Sequence, residues 1–412
     1  MSLKHFTCRS CGSSSGREVL DLGLQPLANN LLPVPPEEAG EEPRFPLIVD
    51  VCSDCFLMQL RELVPPVRLF SEYLYFSSFS DSMLRHAREA VECHASEYAL
   101  GSESLVVEIA SNDGYLLQYC KQKGIPSLGI EPAANIAKVA VEKGIDTRVE
   151  FFCRTLASKL AEEGKKADLI LGNNVFAHVP DVNDFVAGIA ALLKPDGVAA
   201  LEFPWGHEMV RHLEFDTIYH EHVYYFNAVA LIPLFRRHGL EIFRIEKIPI
   251  HGGSLRIHAC HAGRRPVEES VRAILHEETA AGVAGPDYYE AFSQAVAGLK
   301  VDLNGLLADL KAKGHSLAAY GASAKGSTLL NFCGIGRETL SFIVDRSTYK
   351  QGKFSPGMHL PILPPEALLE RRPDYTLLLT WNFADEILAQ QKAYREAGGR
   401  FIIPLPKPCI AE

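Results

Sequence analysis

Between Thr217 and Tyr225 the chain reads Thr-Ile-Tyr-His-Glu-His-Val-Tyr-Tyr, placing two imidazoles, a carboxylate and three phenols within nine residues. His220 and His222 are two apart, so an extended segment would aim both to one side and Glu221 to the other. Such a run can bind a metal, abstract a proton, or form a hydrogen-bonded core. A metal site would need a third ligand, and the sequence offers no His-Glu-x-x-His or comparable spacing. An imidazole, with an ordinary pKa near 6.5, suits a base at neutral pH.

A second set of residues has clearer chemistry. Cys8-Arg-Ser-Cys11 and Cys52-Ser-Asp-Cys55 are two C-x2-C pairs, and Gly12 follows the first. Each pair can place two thiolates on one tetrahedral cation, and two pairs close a structural zinc site. Four thiolates leave no open coordination position, so this metal is not catalytic. The 40 intervening residues include a Pro/Glu-rich loop, Pro33 to Pro46, able to bulge outward. Cys93, Cys120, Cys153, Cys260, Cys333 and Cys409 read as ordinary buried thiols of a reducing compartment.

These groups need a scaffold, and 412 residues are enough for two or three domains. From Leu105 short apolar runs alternate with amphipathic segments, the pattern of a parallel α/β sheet. Expected strands are Leu105–Ile109, Ser127–Ile130, Asp168–Leu171 and Val198–Phe203, with an antiparallel pair at Glu241–Ile248 and Ser254–Cys260. Helices are expected at Tyr115–Lys123, from Val267 to Ala281 and from Asp287 to Lys313. A second α/β pattern follows: Ser316–Tyr320, Ser341–Val344, Asp374–Leu379, and Phe401–Ile403 closing the sheet.

The turn after the first central strand reads Ala110-Ser-Asn-Asp-Gly114, and Glu131 ends the second strand, 23 residues after Glu108. A strand, a small-residue turn and an acid about 20 positions on describe a site for an adenosine ribose. Glu131 would accept the ribose hydroxyls. The turn is poor in glycine, and Glu108 and Asp113 would repel a pyrophosphate. A cofactor with a sulfonium and an amine fits better, which points to S-adenosylmethionine over NAD. In the second α/β unit, Gly321-Ala-Ser-Ala-Lys-Gly326 opens a helix and favours phosphate. Lys325, Lys350 and Lys353 could neutralise a diphosphate. Tyr320 and Trp381 could stack on a base or sugar, or pack in a core.

A net charge of −10 without a long basic run argues against a nucleic-acid partner. No apolar stretch approaches the roughly 20 residues that span a bilayer. A cytoplasmic protein, monomeric or dimeric, is expected.

Taken in order, the cysteine pairs, Tyr73-x-Tyr-x-Ser-Ser78, Glu108-x-Ala-Ser-Asn-Asp-Gly114, Asn173-Asn-Val-x-Ala-His-Val179, Tyr219-His-Glu-His222 and Tyr320-Gly-Ala-Ser-Ala-Lys-Gly326 are family-specific. Over nearly its whole length the chain resembles the S-adenosylmethionine-dependent C-methyltransferases of unusual-deoxysugar pathways. The resemblance implies an α/β protein in three parts. Residues 1–66 would form a small zinc-binding domain, and 67–262 a Rossmann-like class I methyltransferase domain with a helical lead-in. A second Rossmann-like α/β domain, 263–412, would bind the nucleotide sugar. The implied substrate is a nucleotide-linked 4-keto-6-deoxy sugar, with thymidine diphosphate as carrier and carbon 3 as the methylated position.

By the same resemblance His222 is the base, with Tyr219, Glu221, Tyr73 and His178 beside it. His220 is then its structural support. The cofactor set becomes Glu108, Ala110, Asn112, Gly114, Tyr115, Glu131 and Asn173. The substrate set becomes Tyr75, Ser78, Tyr320, Lys325, Lys350, Trp381 and Asn382. Competing readings are a sugar O-methyltransferase or epimerase on the same fold, and a non-catalytic nucleotide-sugar-binding protein. Product mass separates them.

Overall fold

A computed structural model describes residues 6–65, 68–69, 77–79, 81–250 and 252–411. Its amino-terminal sheet has the order Gly16–Pro26, Arg44–Cys52, Met58–Leu60 and Tyr224–Tyr225, antiparallel throughout. The fourth strand comes from the middle of the chain: Met58 pairs with Tyr225 and Gln59 with Tyr224. The Tyr-His-Glu-His run therefore leads directly into this sheet.

The central sheet has the order Leu240–Ile248, Ser254–His261, Leu193–Pro204, Ala167–Asn173, Val106–Ile109, Ser127–Ile130 and Thr147–Arg148. Ser254–His261 runs antiparallel to both its neighbours, and the remaining pairs are parallel. Val106–Ile109 is buried along its whole length, as a strand covered on both faces must be. Helix Val182–Leu192 buries Val182, Phe185, Val186, Ile189 and Leu192, the spacing of one helical face. Asp181 caps it by accepting from the backbone N–H groups of Asn183 and Asp184.

The carboxy-terminal sheet has the order Ile362–Leu363, Ile343–Val344, Leu317–Tyr320, Tyr375–Leu378, Arg400–Ile403 and Cys409–Ile410. The expected closing strand at Phe401–Ile403 is not the edge. Pro404, Pro406 and Pro408 turn the chain back, and Cys409–Ile410 pairs antiparallel outside it. Helix Pro286–Ala312 starts on proline and buries Tyr289, Phe292, Val296, Leu299, Leu303, Leu307 and Leu310 at intervals of three or four. These side chains join one core with Val49, Val51 and Leu60 of the amino-terminal sheet and Leu317 and Leu329 of the carboxy-terminal unit. Each such buried apolar side chain contributes roughly 1.5–3 kcal/mol, so this helix ties the two ends together through apolar contacts. Of the six thiols expected to be buried, Cys93 and Cys409 are exposed and Cys153 is partly so.

Candidate active site

The four paired thiols converge, with all their sulfurs within 4.8 Å of one another. Cys8 and Cys55 sulfurs lie 3.5 Å apart, and those of Cys11 and Cys52 3.6 Å apart. Four sulfurs at about 2.3 Å from one zinc would be separated by roughly 3.8 Å, so donor set and spacing fit that ion. Each turn is closed by a backbone bond to its first cysteine, from Gly12 N–H to the Cys8 carbonyl and from Phe56 N–H to that of Cys52. Both donors are left-handed, at φ +77° and +59°. Phe56 bears about 1–2 kcal/mol of strain there that Gly12 avoids.

The expected cofactor turn is the most strained part of the central unit. Ala110, Asn112 and Gly114 all take positive φ, of 56°, 51° and 75°, and the first two cost about 1–2 kcal/mol each. Buried carboxylates hold the turn. Glu131 accepts from the N–H groups of Asn112 (3.0 Å) and Ala133 (2.8 Å). Asp113 accepts from Lys143 at 3.0 Å and from the Ser78 hydroxyl. Glu108 is 1% exposed, and neither of its carboxylate oxygens has a hydrogen-bond partner among the described residues. Burial pushes its carboxyl well up, and the nearby Glu131, Asp113 and Glu202 push the same way. The Asn173 amide nitrogen is likewise buried without a partner among the described residues. A cationic ligand carrying N–H and O–H donors would satisfy Glu108, so the residues fit S-adenosylmethionine.

The histidine run is not extended. Tyr219–His222 forms a reverse turn, with His222 N–H donating to the Tyr219 carbonyl at 2.9 Å, so the two imidazoles diverge. His220 Nε2 donates to the Pro46 carbonyl at 3.3 Å and the ring meets Phe45 edge-on. His222 Nδ1 lies 2.8 Å from the Thr217 carbonyl. A carbonyl only accepts, so Nδ1 carries the proton and Nε2 presents a lone pair. That lone pair receives the Tyr219 hydroxyl at 2.7 Å. The His178 ring stands edge-on to His222, centroids 4.8 Å apart. Burial takes His178 down to about 4, so it is neutral at pH 7. Glu221 is pushed up to about 7 by burial, opposed by the Asn29 amide, which donates to its Oε1 at 2.7 Å.

His178 ends the turn that follows Ala167–Asn173, and the Ala110–Gly114 turn follows the adjacent parallel strand. Both therefore emerge at the carboxyl ends of neighbouring strands, where open α/β sheets bind ligands. Tyr73 and Tyr75 lie outside the described residues. Ser78, expected at the substrate, instead bonds Asp113 of the cofactor turn, and Ser77 N–H donates to Asn112 beside it at 2.9 Å.

In the carboxy-terminal unit Lys325 sits 4.7 Å from the centre of the Trp381 ring. The indole N–H of Trp381 donates to Asp216 at 2.7 Å. The Thr328 hydroxyl donates to the Ile218 carbonyl at 3.1 Å. These contacts bring the expected nucleotide site onto the loop that carries His222. Tyr320 is buried against Phe401 in the sheet core, where it cannot stack on an incoming base. Lys350 donates to the Ala322 carbonyl at 2.8 Å and so braces the small-residue turn from within. Asn382 is half-buried in the turn Trp381–Phe383. Sequence reasoning missed Glu214, Asp216 and Asn29. Burial raises both loop carboxyls against the Lys325 charge, Glu214 to about 7. Their signal was two acids within five residues of Tyr219, and for Asn29 there was none.

A C-methyltransferase, NovU, of Streptomyces niveus is 38% identical over 404 residues, which cover 98% of this chain and 96% of that protein. The chain belongs to this C-methyltransferase family. Its methyl donor is S-adenosylmethionine. Three family models match this chain: "C-methyltransferase C-terminal domain" over residues 249–406, "Methyltransferase domain" over 83–245 and "Putative zinc binding domain" over 8–70. A ubiquinone biosynthesis O-methyltransferase of Bartonella bacilliformis is 32% identical over 104 residues, 24% of this chain and 42% of that one. The magnesium protoporphyrin IX methyltransferase of Synechocystis PCC 6803, solved with S-adenosylmethionine, is 14% identical. It covers 48% of this chain and 89% of its own, with a TM-score of 0.34.

Proposed function

We propose that the chain methylates carbon 3 of a nucleotide-linked 4-keto-6-deoxy sugar, with thymidine diphosphate as carrier. The division of labour follows 1–66, 67–262 and 263–412, with a structural zinc on Cys8, Cys11, Cys52 and Cys55. The carrying observation is the Thr217–His222–Tyr219 chain of hydrogen bonds, which leaves an unprotonated imidazole nitrogen against a phenol. That is the pair needed at a carbon beside a ketone: a base for the α-proton and a donor for the oxygen on which charge develops.

S-adenosylmethionine supplies an electrophilic methyl group on a sulfonium. Glu108, Ala110, Asn112, Gly114, Tyr115, Glu131 and Asn173 would hold it. The rest falls to the chain. His222 Nε2 takes the α-proton as the Tyr219 hydroxyl turns from that nitrogen to the 4-keto oxygen. Glu221, whose carboxyl burial pushes up to about 7, and neutral His178 orient the sugar, with Tyr73 or Tyr75 completing the wall. Lys325, Trp381 and Asn382 take the nucleotide diphosphate, so its arrival is felt at Asp216, five residues before Glu221 and six before His222.

The test is incubation with S-adenosylmethionine and a panel of nucleotide 4-keto-6-deoxy sugars, followed by mass and carbon NMR of the product. One new carbon-bound methyl group is expected. An oxygen-bound methyl group, or epimer without mass gain, would refute the proposal.

A further inference from the structure

The segment joining Gly16–Pro26 to Arg44–Cys52 leaves the amino-terminal sheet and lies along the carboxy-terminal unit. Leu32 and Phe354 exchange backbone hydrogen bonds, at 3.0 and 2.9 Å. Glu42 accepts from His359 Nε2 at 3.0 Å and Gly357 N–H at 2.8 Å. Ala28 and Leu31 line a small cavity together with Ala322, Ser323 and Ser327 of the turn that opens helix Ala324–Cys333. Between these anchors Asn29 projects the other way, and its Nδ2 donates to Glu221 Oε1 across 192 positions of sequence.

The exposures of the two partners decide what this bond means. Glu221 is 5% exposed, whereas Asn29 is exposed. A structural partner for a buried carboxylate would ordinarily be buried with it. Here the buried carboxylate is met by a side chain that is itself exposed. The amide nitrogen is the atom that faces Glu221, and Oε1 accepts from it. No cation pairs with Glu221 among the described residues, and its own loop offers His220 and His222, both turned to other partners.

We infer that Asn29 is a positioning residue of the active site, supplied by the amino-terminal domain, which fixes the Glu221 carboxylate for the bound sugar. The inference rests on the reading of Glu221 as a group that faces substrate. It gives the zinc-bearing domain a part in the reaction beyond its own stability. It also places that part on the segment that touches the small-residue turn, so one strap meets both halves of the substrate.

A double-mutant cycle tests it, using whichever nucleotide 4-keto-6-deoxy sugar the wild type methylates. Asn29→Ala should lower kcat about tenfold, the loss of one hydrogen bond to a charged group, with KM for S-adenosylmethionine and zinc content unchanged. Asn29→Asp keeps the shape but sets a second carboxylate against the first, and should lower kcat further at pH 8. In a Glu221→Gln background, Asn29→Ala should cost little more. Wild-type kcat in both Asn29 variants, or losses that multiply independently in the double variant, would overturn the inference. Wild-type kcat in Glu221→Gln alone would remove the reading of Glu221, and the inference with it.

Discussion

Tyr219→Phe deletes one oxygen atom and asks what the phenol is for. If Tyr219 were only a prop for the imidazole, its loss would remove one neutral hydrogen bond. That is about 1 kcal/mol, or roughly fivefold in rate. The prop would scarcely be missed, because the Thr217 carbonyl holds the other ring nitrogen at 2.8 Å and His178 packs against the ring. If the hydroxyl instead meets the developing enolate oxygen, its loss should cost about 10²–10³ in kcat. The second magnitude is the one the geometry predicts. The assays are methyl transfer and, in parallel without S-adenosylmethionine, deuterium exchange into the α-carbon of the substrate in heavy water. Both should fall by the same factor, because enolate formation precedes methyl transfer, while S-adenosylmethionine affinity stays unchanged. A loss below tenfold, or transfer that falls while deuterium exchange does not, would refute the assignment.

Glu221 binds its proton more tightly in the fold than in the unfolded chain, because burial raises it to about 7. Stability should therefore fall as pH rises from about 4.5 to 7, and Glu221→Gln should stabilise by on the order of 1–3 kcal/mol at pH 8 and little at pH 4.5. Thermal melts at both pH values check this. Glu278 accepts from Trp205 Nε1, Ala228 N–H and Val229 N–H at 2.7–2.9 Å, capping helix Ala228–Arg237 from elsewhere in the chain. Glu278→Ala should cost roughly 3–5 kcal/mol by stranding buried donors, measured by urea denaturation. Cys11→Ser should abolish stoichiometric zinc in metal analysis and open the amino-terminal knuckles to proteolysis. Retained zinc would contradict the four-thiolate site.

What the sequence made legible was local. The C-x2-C pairs announce their own geometry, and Ser127–Ile130 and helix Pro286–Ala312 follow from their apolar patterns. What it concealed was non-local or depended on a single turn. Tyr224–Tyr225 joins a sheet whose other strands lie more than 160 positions earlier, and Trp381 meets Asp216 across 165. No periodicity records such pairings. The reverse turn at Tyr219–His222 was invisible because alternation alone suggested an extended run, and it is this turn that separates His220 from His222. Lys350 reads as a diphosphate ligand until the Ala322 carbonyl appears beside it.

The central claim is that His222 removes the α-proton that makes carbon methylation possible. Its most direct test is His222→Asn in heavy water with S-adenosylmethionine and the accepted nucleotide sugar. The account predicts that deuterium incorporation and methyl gain are both lost, while cofactor binding, zinc content and melting temperature match the wild type. Methyl transfer at the wild-type rate in that variant would contradict it.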